Sequence, residues 1–356
     1  MSHGKLRLCL RLKVYVDNPR HHTRQPCRLL MPYPWHSKQW QQARLAVEQN
    51  RLAHAVLLSG AEGCGISRFA LEFAQLLLCE AGSNTAACGQ CRSCLLFNAG
   101  NHPDILVVNP EDNATQIKVE AVRDMIAYLQ LSNHYGKYKI VIIDPAEGLN
   151  RHSANSLLKT LEEPAPSALL MLVSYRTGKL PVTIRSRCQK ISFNGVDRQS
   201  ARTWLGEQLN DPEQADTLLE LSGGAPLKAL QLNDTDAVQI RREVLADLQE
   251  ARQAHTDPVK LAEKWQKHDA VEILTWLLFL FSKMAAMRCA EVSENTGVPL
   301  FDRELHSLVN GLSLSQVIKC YDLVFKNYRL ITGEYNLNKQ GLLEEIIIHW
   351  QAIHEK

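Results

Sequence analysis

Four cysteines, Cys79, Cys88, Cys91 and Cys94, lie close together in the chain. In Cys88-Gly89-Gln90-Cys91-Arg92-Ser93-Cys94 the two-residue gaps let neighbouring thiolates converge on one tetrahedral ion, and the glycine and small residues permit the turn this needs. Four thiolates would fill the coordination shell, so the expected role is a structural Zn²⁺ stapling an inserted module, with no open position for a substrate. Iron–sulfur clusters use similar ligands and buried free thiols are the plainer alternative; an all-cysteine knuckle inserted in an α/β domain favours zinc. A nucleic-acid-binding ribbon is disfavoured, because Arg92 is the only basic residue between positions 75 and 100.

A second constellation is the glycine loop Gly60-Ala61-Glu62-Gly63-Cys64-Gly65-Ile66-Ser67, which follows an apolar run and leads into helical periodicity. Such a loop can cradle phosphates with backbone N–H groups at a helix N-terminus. The position that should be lysine is Ile66, and Glu62 adds negative charge, so a turn of the right shape without nucleotide is expected. A third is Lys139-Ile140-Val141-Ile142-Ile143-Asp144-Pro145-Ala146-Glu147. A strand-end Asp can hold Mg²⁺ and an adjacent Glu can polarise water, yet Pro145 stands next and Glu147 is displaced. Asp144 is therefore expected to keep only a structural role. A fourth is Arg187 in Ser186-Arg187-Cys188, which taken alone would be read as a solvated surface charge.

Positioning these residues requires a scaffold. The apolar runs 55–59, 104–108, 139–144, 169–174 and 189–193 lack alternation, as strands do when both sheet faces are covered. Helical patterns at 67–79, 117–131 and 153–163 separate them, giving an α/β parallel sheet. Beyond about Asn194 strand signals vanish. The expected layout is a basic extension over 1–30, an α/β domain over 31–194 carrying the 79–94 zinc module, a helical lid over 195–235 and an all-α domain over 236–356. Helices are expected at 257–267, 270–290, 313–331 and 337–354.

Composition bounds the rest. Of 356 residues, 45% are hydrophobic and 22% charged, which excludes disorder and fibres. Residues 1–30 hold seven Lys or Arg against Asp17 alone; with that segment at +6 and the chain at +2, the remainder stands at −4. A mildly acidic body lacks the positive field of a stand-alone DNA binder. The segment has neither a secretory signal's apolar core nor a transit peptide's serine content, and an over-extended start ahead of Met31 is expected. No uninterrupted apolar run reaches the roughly 18 residues of a membrane span, the longest candidate being 273–281, so a soluble chain is expected. Ten cysteines in a chain this long point to a reducing compartment.

The string Ala154-Asn155-Ser156-Leu157-Leu158-Lys159-Thr160-Leu161-Glu162-Glu163-Pro164, together with Asn101-His102-Pro103-Asp104, Leu180-Pro181 and Ser186-Arg187-Cys188, resembles the bacterial clamp-loader branch of the AAA+ family. The resemblance covers residues 31 to about 195 and implies an AAA+ αβα sheet, a lid and a C-terminal collar domain. It implies cytoplasmic membership of a pentamer with gamma/tau ATPase subunits and a delta subunit, acting on a sliding clamp and primer-template DNA in replication. It also implies that Arg187 reaches the γ-phosphate held by a neighbouring subunit, as an arginine finger in trans. Relatives that hydrolyse ATP carry an arginine after the small-domain glycine; here Gly224-Ala225-Pro226-Leu227-Lys228 has none. The expected subunit lends a finger, binds no ATP of its own and is no enzyme alone, polymerase chemistry belonging to the assembly. The alternative is an active gamma/tau-type ATPase.

Overall fold

The computed structural model describes residues 32–81, 86–111, 114–233, 237–252, 256–290, 300–333 and 338–354. The basic segment over 1–30 lies outside them. The chain divides into two compact units, with the boundary between Gln231 and Leu232.

The first unit is built on five parallel strands, β1 (Ala55–Ser59), β2 (Ile105–Val108), β3 (Lys139–Ile143), β4 (Ala168–Ser174) and β5 (Gln189–Ser192), in the order β2-β3-β4-β1-β5. Their unbroken apolar runs feed two cores at once. Val56, Leu58, Ile140 and Ile142 pack on one face with α1 (Ser37–Glu48) and α2 (Ile66–Leu78). Leu57, Val141 and Ile143 pack on the other with α4 (Val119–Leu129) and α5 (Arg151–Glu162). The period of two is present in destination, although it is invisible in composition. The strands begin and end within a residue of the sequence expectation, and α4 is shorter at both ends because Lys118 and Gln130 are its flanking caps.

Two short helices complete this scaffold, α3 (Arg92–Asn98) after the cysteine knuckle and α6 (Val182–Arg185) before β5. Helices α7 (Arg198–Gln208), α8 (Ala215–Leu221) and α9 (Pro226–Asn233) follow β5. Asp197 caps α7 by accepting from Ser200 N at 2.9 Å.

The regular elements among the described residues of the second unit are all helices: α10 (Ala237–Ala251), α11 (Pro258–Gln266), α12 (Ala270–Ala290), α13 (Leu300–Val309), α14 (Leu314–Ile331) and α15 (Lys339–His354). Trp265, Phe281 and Trp350 anchor its core, and both indoles are satisfied, Trp265 by Asp247 Oδ2 and Trp350 by the Leu248 carbonyl, each at 2.9 Å. By length and composition, 270–289 within α12 is long and apolar enough to cross a membrane, although Glu272, Lys283 and Arg288 interrupt it. Its Ile273, Leu274, Leu277, Leu280, Phe281 and Met284 are instead buried in this core.

Candidate functional site

Two of the expected site elements, the glycine loop and Asp144, gather at the C-terminal edge of the sheet, where parallel strands present their loops. The glycine loop leaves β1 and enters α2 as expected, with φ of 80° at both Gly63 and Gly65. Its surroundings differ from an open cradle. A methyl group at Gly65 would lie 2.6 Å from the Tyr33 ring, and one at Gly63 would lie 2.8 Å from Lys228 Cβ. Both glycines are thus required twice, for left-handed backbone and for close approach. The Leu227 N–H, at the start of α9, donates to the Gly63 carbonyl at 3.0 Å. Trp35 Nε1 and His36 Nε2 converge on the Cys64 carbonyl at 2.9 and 2.7 Å. Tyr33 stacks on Trp35, and Trp204 from α7 meets both edge-on. Ile66, only 1% exposed, belongs to the core beneath the loop.

Burial pushes the His36 imidazole from 6.5 down to about 4, against the opposing pull of its bond to Cys64, and nearby Arg68 lowers it further. The ring is therefore neutral near pH 7, with Nε2–H as donor to the carbonyl.

Asp144 directly follows β3, and its carboxylate is engaged. Tyr175, the residue after β4, donates its hydroxyl to Asp144 Oδ1 at 3.2 Å and lies 2.5 Å from Ser67 Oγ. Glu147 is engaged with backbone: its Oε1 accepts from the N–H groups of Tyr175 and Arg176, both at 3.0 Å. Tyr175 was not foreseen from sequence. The only available signal was an aromatic residue directly after an apolar strand.

Arg187 stands apart from the glycine loop, on the turn between α6 and β5. Its Nη2 pairs with Glu162 Oε1 at 2.6 Å and its Nη1 donates to the Thr183 carbonyl at 3.0 Å. Both members of the ion pair are exposed. Glu162 closes α5, so the Leu161-Glu162-Glu163-Pro164 string and the Ser186-Arg187-Cys188 turn are neighbours in space. Lys228, the last residue of the Gly224-Ala225-Pro226-Leu227-Lys228 stretch, packs its stem against Gly63.

The four cysteines come together between the end of α2 and the start of α3, every Sγ lying within 4.8 Å of the others. Two of the separations, Cys79 to Cys91 and Cys88 to Cys94, are 4.0 Å. Four sulfurs at about 2.3 Å from a single Zn²⁺ would be about 3.8 Å apart, so the set fits a tetrahedral ion. Backbone N–H groups of Gln90 and Cys91 donate to Cys88 Sγ at 3.5 and 3.3 Å, and they pull that thiol down to about 6. Burial pushes the Cys94 thiol well up, which a bound cation would have to overcome. The group could hold a metal ion.

A relay ties this module to the sheet. Ser93 Oγ donates to the Leu78 carbonyl at 2.5 Å and lies 2.8 Å from His102 Nε2. His102 Nδ1 accepts from the Asp104 N–H at 3.0 Å. Asp104 is buried, receives the His134 and Tyr135 N–H groups and pairs with buried Lys139 at 3.3 Å. Within the Asn101-His102-Pro103-Asp104 string, His102 and Asp104 are thus buried and bonded inward, while Asn101 is exposed.

A family model described as DNA polymerase III, delta subunit, matches residues 35–197, and one described as DNA polymerase III, delta subunit, C terminal, matches 235–352. The DNA polymerase III subunit delta' of Pseudomonas aeruginosa is 30% identical over 325 residues, covering 90% of this chain and 98% of that protein. Its counterpart from Escherichia coli K12 is 29% identical over 321 residues, 89% of this chain and 94% of that one. The subunit tau of the same organism is 35% identical over 190 residues, 52% of this chain and only 29% of tau.

Proposed function

The chain belongs to the delta' subunit family of DNA polymerase III, and from that membership we propose that it is the non-hydrolysing member of a clamp loader, giving Arg187 to a neighbouring ATPase subunit. Its partners on this reading are gamma/tau and delta subunits in a pentameric ring in the cytoplasm, loading a sliding clamp on primed DNA. The observation that carries the idle pocket is Ile66: an apolar, buried side chain stands where an ammonium would have to neutralise the β- and γ-phosphates. The contacts of Tyr33, Lys228 and the Leu227 amide with the loop glycines support it, since they show the bends of the loop held by protein packing alone.

Arg187 suits the other half of the role. A guanidinium is permanently charged, fits phosphate oxygens bidentately, and is worth on the order of 10³ or more in rate as a finger in trans. Zinc would be held by Cys79, Cys88, Cys91 and Cys94, and its chemistry there is a fourfold thiolate crosslink that fixes the end of α2 to the start of α3. Residues 195–235 serve as the lid and 236–356 as the collar domain.

A second reading, an active gamma/tau-type ATPase, is favoured by the higher identity to tau over its shorter span. Micromolar nucleotide binding by the purified chain would favour it. The test of the first is reconstitution with gamma/tau and delta, comparing wild type with Arg187→Ala. Assembly should be normal and DNA-stimulated ATP turnover should drop clearly; unchanged turnover removes the finger.

A further inference from the structure

Tyr175 occupies a chemically specific place. In phosphate-loop nucleotidases Mg²⁺ is held by the loop Ser or Thr and by a strand-end Asp. By position those two groups here are Ser67, the last residue of the glycine loop, and Asp144, the first residue after β3. The Tyr175 hydroxyl touches both, at 2.5 Å from Ser67 Oγ and 3.2 Å from Asp144 Oδ1. We propose that Tyr175 is a built-in seal of the magnesium position, a phenol bridging the two oxygens that a divalent cation would otherwise share. This rests on the reading of the pocket as idle and adds a second lock to it, independent of Ile66.

The chemistry favours the phenol over the ion. Magnesium demands oxygen ligands at about 2.0–2.1 Å in near-ideal octahedral geometry. An ion placed between Ser67 and Asp144 at those distances would collide with the tyrosine oxygen, which already lies within hydrogen-bonding distance of both. The seal is also anchored from behind. Glu147 holds the Tyr175 backbone N–H at 3.0 Å, so the glutamate two positions beyond the expected catalytic place fixes the residue that closes the site. The topology makes this possible, because β4 lies between β1 and β3 and the loop following it emerges midway between Ser67 and Asp144.

Two locks make a prediction that one does not. Fluorescent N-methylanthraniloyl-ATP is titrated into the full-length chain with magnesium or with EDTA, using wild type, Ile66→Lys, and Ile66→Lys combined with Tyr175→Phe, which keeps the ring. Wild type should show no binding. Ile66→Lys should bind weakly and equally with and without magnesium. The double variant should bind at least tenfold more tightly with magnesium than with EDTA. A magnesium gain already present in Ile66→Lys overturns the seal while leaving the idle pocket standing, and so does a folded double variant without that gain. Magnesium-dependent binding by wild type overturns the idle pocket and the seal together. Should the buried lysine prevent folding, a double-mutant cycle between Ser67→Ala and Tyr175→Phe in urea unfolding decides the matter. The seal requires the two effects on the unfolding constant to be coupled at least threefold; effects that simply multiply overturn it.

Discussion

At Arg187 two small energies compete. An exposed ion pair such as Arg187–Glu162 contributes about 0–1 kcal/mol, whereas a rate factor on the order of 10³ corresponds to about 4 kcal/mol of transition-state stabilisation. On the proposed finger role, Glu162 can therefore hold the guanidinium on the free subunit without keeping it from a neighbour's phosphate. Glu162→Gln should change the urea midpoint by less than the equivalent of about 1 kcal/mol and leave reconstituted turnover within roughly threefold of wild type. A fall as deep as that of Arg187→Ala would make the carboxylate part of the finger's machinery. The cysteines make a different demand, since each must surrender a proton to a cation. Purified wild type should carry close to one zinc per chain by elemental analysis, and Cys91→Ser should lose most of it. A metal-free wild type would end the assignment.

The elements were readable to different depths for physical reasons. Apolar runs such as Ile140, Val141, Ile142 and Ile143 announced themselves because a doubly covered sheet favours apolar side chains on both faces. The long α12 was found at 270–290 because apolar positions dominate it between polar turns. The contacts that decide the site were not readable. Ser67, Asp144 and Tyr175 meet only through the strand order β3-β4-β1, and nothing local in the sequence specifies that order. The cover over the glycine loop was equally hidden, being assembled from Tyr33, Trp204 and α9, far apart in the chain. That cover carries a pH signature. Folded His36 resists protonation until about pH 4, while the unfolded chain takes the proton near 6.5. Stability contributed by the buried ring is thus complete above pH 6.5 and is lost as pH falls toward 4. Between pH 7 and 5 this amounts to roughly 2 kcal/mol. Urea midpoints measured over that range should fall less steeply in His36→Phe than in wild type, and parallel curves would contradict the assignment.

At the scale of the whole molecule, the second unit keeps apolar surface that its own core does not use. On α14, Ile318 and Phe325 are each 44% exposed and Tyr321 stacks on Phe325, while Ile348 on α15 is 53% exposed. An apolar row left open at helical spacing suits the collar role proposed for this domain. Ile318→Asp with Phe325→Asp should leave the circular dichroism and melting temperature of the isolated chain nearly unchanged. The same pair should sharply reduce its retention with gamma/tau and delta on size exclusion. Loss of folding in the isolated chain, or undiminished retention, would count against that role.

The bond from the Leu227 amide to the Gly63 carbonyl has a bearing on how such a chain can drift. Once a loop of this kind has become a seat for a helix, its glycines answer to packing instead of to phosphate. An ancestral lysine could be discarded with little harm to folding, but the bends around it could not. If the pocket is idle as proposed, glycine spacing alone would still mark such a chain as a nucleotide binder.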